Sequence, residues 1–196
     1  MIRLSAVCVF CGSNPGADPV YARTARRMGE LLAARGITLV YGGGRVGLMG
    51  AIADAALSAG GKVVGVIPEA LKRRELASEE LTELHVVKTM HERKQLMADL
   101  SDGFVAMPGG FGTFEEFCEI VTWAQLGMHA KPCALLNVKG YYEHLLAMFD
   151  HAAAEQLLHP RNRAMVITES DPERLLDAMA RYQAPAVEQW LTSETT

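Results

Sequence analysis

In Gly103-Phe104-Val105-Ala106-Met107-Pro108-Gly109-Gly110-Phe111-Gly112-Thr113-Phe114-Glu115-Glu116 an apolar run meets a glycine turn and then an amphipathic pattern. Gly103 to Met107 predicts a buried strand, and beyond the glycines Phe117, Ile120, Val121 and Ala124 recur at helical spacing. The first N–H groups of a helix lack intrahelical acceptors and stand at the positive end of its dipole. A strand–turn–helix junction of this kind therefore suits an anion. Glu115 and Glu116 complicate that reading, because a bare phosphate cradle gains nothing from two carboxylates in the same turn. The junction predicts a ligand with a phosphate at one end and, at the other, a group for a carboxylate to act on.

In both directions from this junction the chain repeats the same alternation. Apolar runs predict strands at 6–10, 38–41, 63–67, 84–87, 104–107, 133–137 and 164–167. Amphipathic patterns predict helices at 19–34, 48–58, 90–100, 114–126, 142–155 and 172–182. Strands that are apolar throughout, rather than alternating, belong to a sheet covered on both faces. The expectation is an α/β fold: a doubly wound, Rossmann-like, mostly parallel sheet flanked by helices. It forms a single domain over residues 1–183, followed by a C-terminal tail at 184–196. Ligands of such sheets sit beyond the carboxyl ends of the strands. Three further turns leave predicted strand ends there: Cys11-Gly12-Ser13-Asn14-Pro15-Gly16, Gly42-Gly43-Gly44-Arg45-Val46-Gly47, and Pro68 to Glu75.

The length of 196 residues supports one substantial core, and 49% hydrophobic with 21% charged residues suits a globular chain. A net charge of −4 argues against a general nucleic-acid surface. No apolar run approaches a membrane span, and the start, with Arg3 ahead of the run at 6–10, reads as a first strand rather than a signal peptide. A cytoplasmic protein is expected, with no nucleic-acid or membrane partner. Among the four cysteines, Cys8-x-x-Cys11 has the spacing of a metal or redox pair. Residues three apart on a strand face opposite ways, however, and no second pair completes a site. Buried structural thiols are expected at Cys8, Cys11, Cys118 and Cys133.

Gly42-x-Gly44-x-x-Gly47 satisfies the dinucleotide fingerprint in form, which keeps a nicotinamide-dependent oxidoreductase as a minority alternative. That alternative leaves the glycine turn at 109–112 without a role, and no tyrosine has a lysine four residues on. His91-Glu92-Arg93-Lys94 opens the preceding helix, and Arg93 and Lys94 share a stripe with Met90 and Met97 where apolar residues belong. Either their stems snorkel to water or both charges face the anion site; the nearby phosphate-type turn favours the second. Thr113-x-x-Glu116 has the spacing of a capping box, so at this point Glu116 is equally a helix-start residue and a catalytic carboxylate. Thr122 lies seven residues beyond Glu115 and shares its helix face.

Taken together, Met90-His91-Glu92-Arg93-Lys94 and the run from Pro108 to Glu116 resemble the signature of the Lonely Guy (LOG) family, cytokinin riboside 5′-monophosphate phosphoribohydrolases, many formerly labelled lysine decarboxylases. Tyr41-Gly42-Gly43-Gly44, Gly47-Leu48-Met49-Gly50, Gly65-Val66-Ile67-Pro68, Trp123-Ala124-Gln125-Leu126-Gly127 and Gly140-Tyr141-Tyr142 are similar as well, and the resemblance runs to about Tyr182. It implies hydrolysis of the N-glycosidic bond of an adenosine 5′-monophosphate, often N6-prenylated, to free base and ribose 5-phosphate. It makes Arg93 and Glu116 catalytic. Gly109, Gly110, Phe111, Gly112, Thr113, Phe114, Glu115, Lys94, Glu75 and Thr122 would bind the nucleotide, assisted by Gly12 and Ser13. It also implies a homodimer with substrate pockets near the subunit interface. Decarboxylation is not implied, and no lysine stands out as a pyridoxal-phosphate site.

The chemistry is consistent with these assignments. Cleavage at C1′ develops positive charge on the ribose and negative charge on the base, and a carboxylate can activate water and stabilise the sugar. A guanidinium holds its proton too firmly to act as an acid, so Arg93 is expected to stabilise charge and orient Glu116. The glycine-turn amides would anchor the 5′-phosphate away from the reacting carbon. This scheme needs no metal and no cofactor. A competing reading is a nucleotide-binding or carrier module without turnover, since fold does not fix function.

Overall fold

Strands and helices alternate along the chain in the computed structural model, which describes residues 2–72 and 81–186. The strands are β1 (Ala6–Phe10), β2 (Thr38–Tyr41), β3 (Val63–Pro68), β4 (Glu83–Val87), β5 (Gly103–Ala106), β6 (Cys133–Leu136) and β7 (Val166–Glu169). The helices are α1 (Pro19–Ala34), α2 (Gly47–Ser58), α3 (Glu69–Lys72), α4 (Met90–Asp99), α5 (Phe111–Gln125), α6 (Glu143–Ala154), α7 (Pro160–Arg163) and α8 (Pro172–Arg181). The strands form one sheet in the order β4-β3-β2-β1-β5-β6-β7, and every pairing is parallel.

Burial follows the residue pattern. β5 and β6 are buried at every position, as their unbroken apolar runs require, whereas edge strand β4 leaves Glu83 and Val86 exposed. Alternate residues of one strand feed two cores. Val7 and Val9 face the layer of α1, α2 and α8, while Cys8 and Phe10 face the layer of α4, α5 and α6. Gly29 lets α1 close on α2, since a Cβ there would overlap the Ile52 carbonyl oxygen.

The predicted fold class is therefore the observed one, with shifts at element ends. The last strand begins at Val166 rather than at 164, because Pro160–Arg163 forms a short helix capped by Ala164. A 3-10 turn at Val138–Gly140 and the short α3 were not expected. Most consequential for the site, α5 begins at Phe111 with Gly110 as its N-cap, three residues earlier than predicted. Among the described residues no helix is long and apolar enough to cross a membrane.

The crossover from β4 back past β1 to β5 creates the topological switch point. β1 carries β2 on one side and β5 on the other, so the segments leaving β1 and β5 diverge and leave a crevice at the sheet's carboxyl edge.

Candidate active site

Three of the four turns predicted from sequence meet at this crevice. The Gly12 N–H donates to the Pro108 carbonyl at 3.0 Å, joining the turn after β1 to the turn after β5. The Leu48 N–H donates to the Gly12 carbonyl at 3.0 Å, which brings in the turn after β2. Glycine is required at Gly47, whose φ is +62° and whose Cβ would overlap the backbone of Ser13 and Asn14. Between the turns after β1 and β5 lies a cavity of about 230 Å³, bordered by Gly12, Ser13, Asn14, Gly110, Tyr21 and Tyr141.

The N-terminus of α5 opens on this cavity. With Gly110 as N-cap, its first turn carries Phe111, Gly112 and Thr113, whose N–H groups precede the helical ladder. Phe111 is 91% exposed, while Thr113 is buried against Gly109, where a Cβ would overlap the Thr113 hydroxyl oxygen. Of the two readings left open for Thr113-x-x-Glu116, the capping box is thereby excluded. Thr113 and Glu116 sit inside α5 rather than astride its start, and no side chain caps this helix. A capping box does open α4, where Thr89 accepts from the Glu92 N–H at 3.1 Å and Glu92 accepts from the Thr89 N–H at 3.3 Å. The Thr89-x-x-Glu92 spacing was the available sequence signal for it.

Released from capping, Glu116 meets Arg93. Arg93 Nη1 donates to Glu116 Oε1 at 2.9 Å, and each side chain is 10% exposed. Arg93 Nε donates to the Val66 carbonyl at 3.1 Å, fixing the guanidinium plane between β3 and α5. Gly42 makes room for it, because a Cβ at that position would overlap Arg93 Nη2. The second glycine turn thus clears space for an arginine and for the Ser13 backbone. The stripe position of Arg93 is resolved as well: its charge turns inward to Glu116 and the Val66 carbonyl instead of out to water.

Lys94 forms a parallel rung to the same helix. Its Nζ lies 2.6 Å from Glu115 Oε1 and 2.8 Å from Glu119 Oε2. Burial works to lower the Lys94 pKa, but the hydrogen bonds to the two carboxylates outweigh it, and the net lies above the ordinary lysine value. Lys94 therefore stays charged throughout the neutral range. Glu119 was not singled out in the sequence, although its spacing from Glu115 was a usable signal.

The remaining predicted residues are placed as follows. Gly12, Ser13, Gly109 and Gly110 border the cavity, and Phe114 packs against the rings of Tyr141 and Tyr142. Thr122 lies about 10 Å down α5 from Glu115, and its hydroxyl donates back to the Cys118 carbonyl at 2.7 Å. Glu75 falls outside the described residues.

Cys8 and Cys11 belong to opposite core layers, as the strand argument required. Burial pushes both thiols up, helped by the Glu116 carboxylate, and burial holds Cys133 at about 12. Cys118 departs from the expectation of burial, being exposed on the outer face of α5. Among the described residues, no group of three or more His, Cys, Asp or Glu is placed to hold a metal ion.

Comparisons with known proteins bear on this geometry. The family described as "Possible lysine decarboxylase" matches residues 49–179. A cytokinin riboside 5′-monophosphate phosphoribohydrolase of Rhodococcoides fascians is 52% identical over 175 residues, covering 89% of this chain and 88% of that protein. One of Arabidopsis thaliana is 45% identical over 181 residues, covering 92% and 83%. Among solved structures, the molybdenum cofactor carrier protein of Chlamydomonas reinhardtii superposes with a TM-score of 0.69 at 22% identity, covering 90% of this chain and 96% of that one, which shows a shared fold. Identity of this order along nearly the whole chain means that it belongs to the Lonely Guy (LOG) family.

Proposed function

We propose that this protein hydrolyses the N-glycosidic bond of adenosine 5′-monophosphates, plain or N6-modified, to a free base and ribose 5-phosphate. The observation that carries the proposal is the buried Arg93–Glu116 pair, whose carboxylate stands on the helix whose first N–H groups open on the crevice. The names of the two enzyme relatives support the same reaction.

The 5′-phosphate is taken by the free amides at 110–113, with Gly12 and Ser13 closing the other side of the cavity. Anchoring there directs the ribose toward Glu116. A water attacks C1′ as the bond to the base nitrogen breaks, and the bonding pair leaves with the base. Glu116 accepts the water's proton and its negative charge stabilises the cationic sugar; the departing base takes up a proton from solvent. Arg93, held by the Val66 carbonyl, keeps the carboxylate in its rotamer and stabilises developing negative charge. Glu115, tied by Lys94, contacts the ribose hydroxyls. Phe111, Gly112, Thr113 and Phe114 shape the turn around the nucleotide, and the family resemblance adds Thr122 and Glu75 to the nucleotide-binding residues. The working unit is a homodimer with the pockets near the subunit interface.

Incubating the purified protein with AMP and, separately, with N6-isopentenyl-AMP, followed by chromatography, tests the reaction. Free base and ribose 5-phosphate are the expected products, and the ratio of the two rates measures the preference for an N6 substituent. Folded protein that cleaves neither substrate would overturn the proposal.

A further inference from the structure

The Gly140-Tyr141-Tyr142 motif has no part in the chemistry above, yet it fastens the glycine turn. Three successive carbonyls of that turn each accept a hydrogen bond from outside it. Tyr142 Oη donates to Met107 O at 2.6 Å, the Gly12 N–H donates to Pro108 O at 3.0 Å, and Tyr141 Oη donates to Gly109 O at 2.5 Å. The first two contacts lie in the interior, and Tyr142 is 1% exposed. Tyr141 differs, because the residue is 37% exposed and borders the cavity with Gly12, Ser13, Gly109 and Gly110.

The consequence follows from the peptide plane. In a trans peptide the carbonyl and the N–H point in opposite directions. With the Gly109 carbonyl drawn to the Tyr141 hydroxyl, the Gly110 N–H faces the other way. Two glycines flank this peptide, and with neither carrying a Cβ it is otherwise free to rotate. A rotated peptide would turn a carbonyl oxygen toward an anion in place of a donor.

Tyr141 is itself well held. Its ring packs edge-on to Tyr142 at 5.1 Å and to Tyr21 at 5.9 Å. The turn before it carries Lys139 at φ 54°, uncommon for a side-chain-bearing residue, and Lys139 Nζ is held by Asp18 at 2.7 Å.

We infer that Tyr141 is a positioning residue for phosphate recognition: its hydroxyl locks the Gly109–Gly110 peptide with the N–H, not the carbonyl, presented to the phosphate of the ligand. The inference rests on the proposed function only in naming the anion as a sugar phosphate.

Calorimetric titration of wild type and Tyr141→Phe with ribose 5-phosphate and, separately, with adenine tests it. The expected result is a Kd for ribose 5-phosphate raised about tenfold, the size of losing one charge-assisted donor, with the Kd for adenine unchanged. Tyr142→Phe, which removes the interior contact, should lower the melting temperature while leaving the ratio of the two Kd values as in wild type. Unchanged ribose 5-phosphate affinity in Tyr141→Phe overturns the inference, as does equal weakening toward both ligands, which would mark a merely structural tyrosine. Wild-type protein with no affinity for ribose 5-phosphate overturns it as well. The two readings fail separately. A phosphate-specific loss in a protein that cleaves no nucleotide removes the proposed activity and keeps the tyrosine's role, whereas normal turnover with no such loss does the reverse.

Discussion

Arg93–Glu116 and Lys94–Glu115 are neighbouring rungs between the same two helices, yet one is closed and the other half open. Both side chains of the first are 10% exposed; in the second Lys94 is 9% exposed but Glu115 is 54%. The closed rung is buried, so the attraction between its charges is little screened but each ion depends on its partner. Arg93 meets that condition with the Val66 carbonyl and the space above Gly42. The open rung has water for Glu115 and a second carboxylate, Glu119, for Lys94. Side chains one residue apart on each helix thus sit in different surroundings: the inner pair is closed off from water, and the outer pair leaves a carboxylate half in solvent.

The largest effect should come from Glu116→Gln, which keeps the size and the acceptor for Arg93 but removes the negative charge. Turnover of AMP should fall about 10³-fold, within the range for removing a general base, while nucleotide affinity persists. Unchanged turnover would move the inner rung into the same structural class as the outer one. Arg93→Ala leaves Glu116 buried without its cation and should cost about 3–5 kcal/mol of stability in a urea melt, besides activity. A loss below about 1 kcal/mol would show that the closed rung is as well solvated as the open one.

Gly42→Ala sharpens the comparison without touching either rung's charges. The added methyl overlaps Arg93 Nη2, so a destabilisation of about 1–3 kcal/mol and a fall in kcat are expected together. A stable variant of normal activity would mean that the guanidinium has another place to go. Smallest is Lys94→Met, which keeps the buried stem and removes only the charge. With Glu115 mostly in water, stability should change by less than about 1 kcal/mol, and adding salt to the wild type should reproduce part of the change. KM for nucleotide should rise more than kcat falls, since Glu115 loses its tether.

Much of this could be read along the chain. Each buried strand announced itself as an unbroken apolar run, because a parallel sheet covered on both faces leaves no polar positions. The glycine turns announced themselves at the strand ends, and the run from Pro108 to Glu116 announced a strand–turn–helix junction. The sequence by itself therefore determined the α/β class, the seven strands, and the glycine turns that leave their carboxyl ends, because burial and backbone freedom act residue by residue and leave a local pattern.

Only the tertiary structure decided what Glu116 contacts. Thr113 and Glu116 match a capping box in sequence, but the helix starts at Phe111, and the carboxylate goes to an arginine 23 residues away. The space left by Gly42 and the hold of Tyr141 on Gly109 were equally illegible. These contacts depend on the strand order β4-β3-β2-β1-β5-β6-β7, which returns the chain past β1 and sets α4, α5 and the turn after β2 around one point. A local pattern cannot encode such an encounter, because it is made by groups distant in the chain that become neighbours only when the sheet is complete.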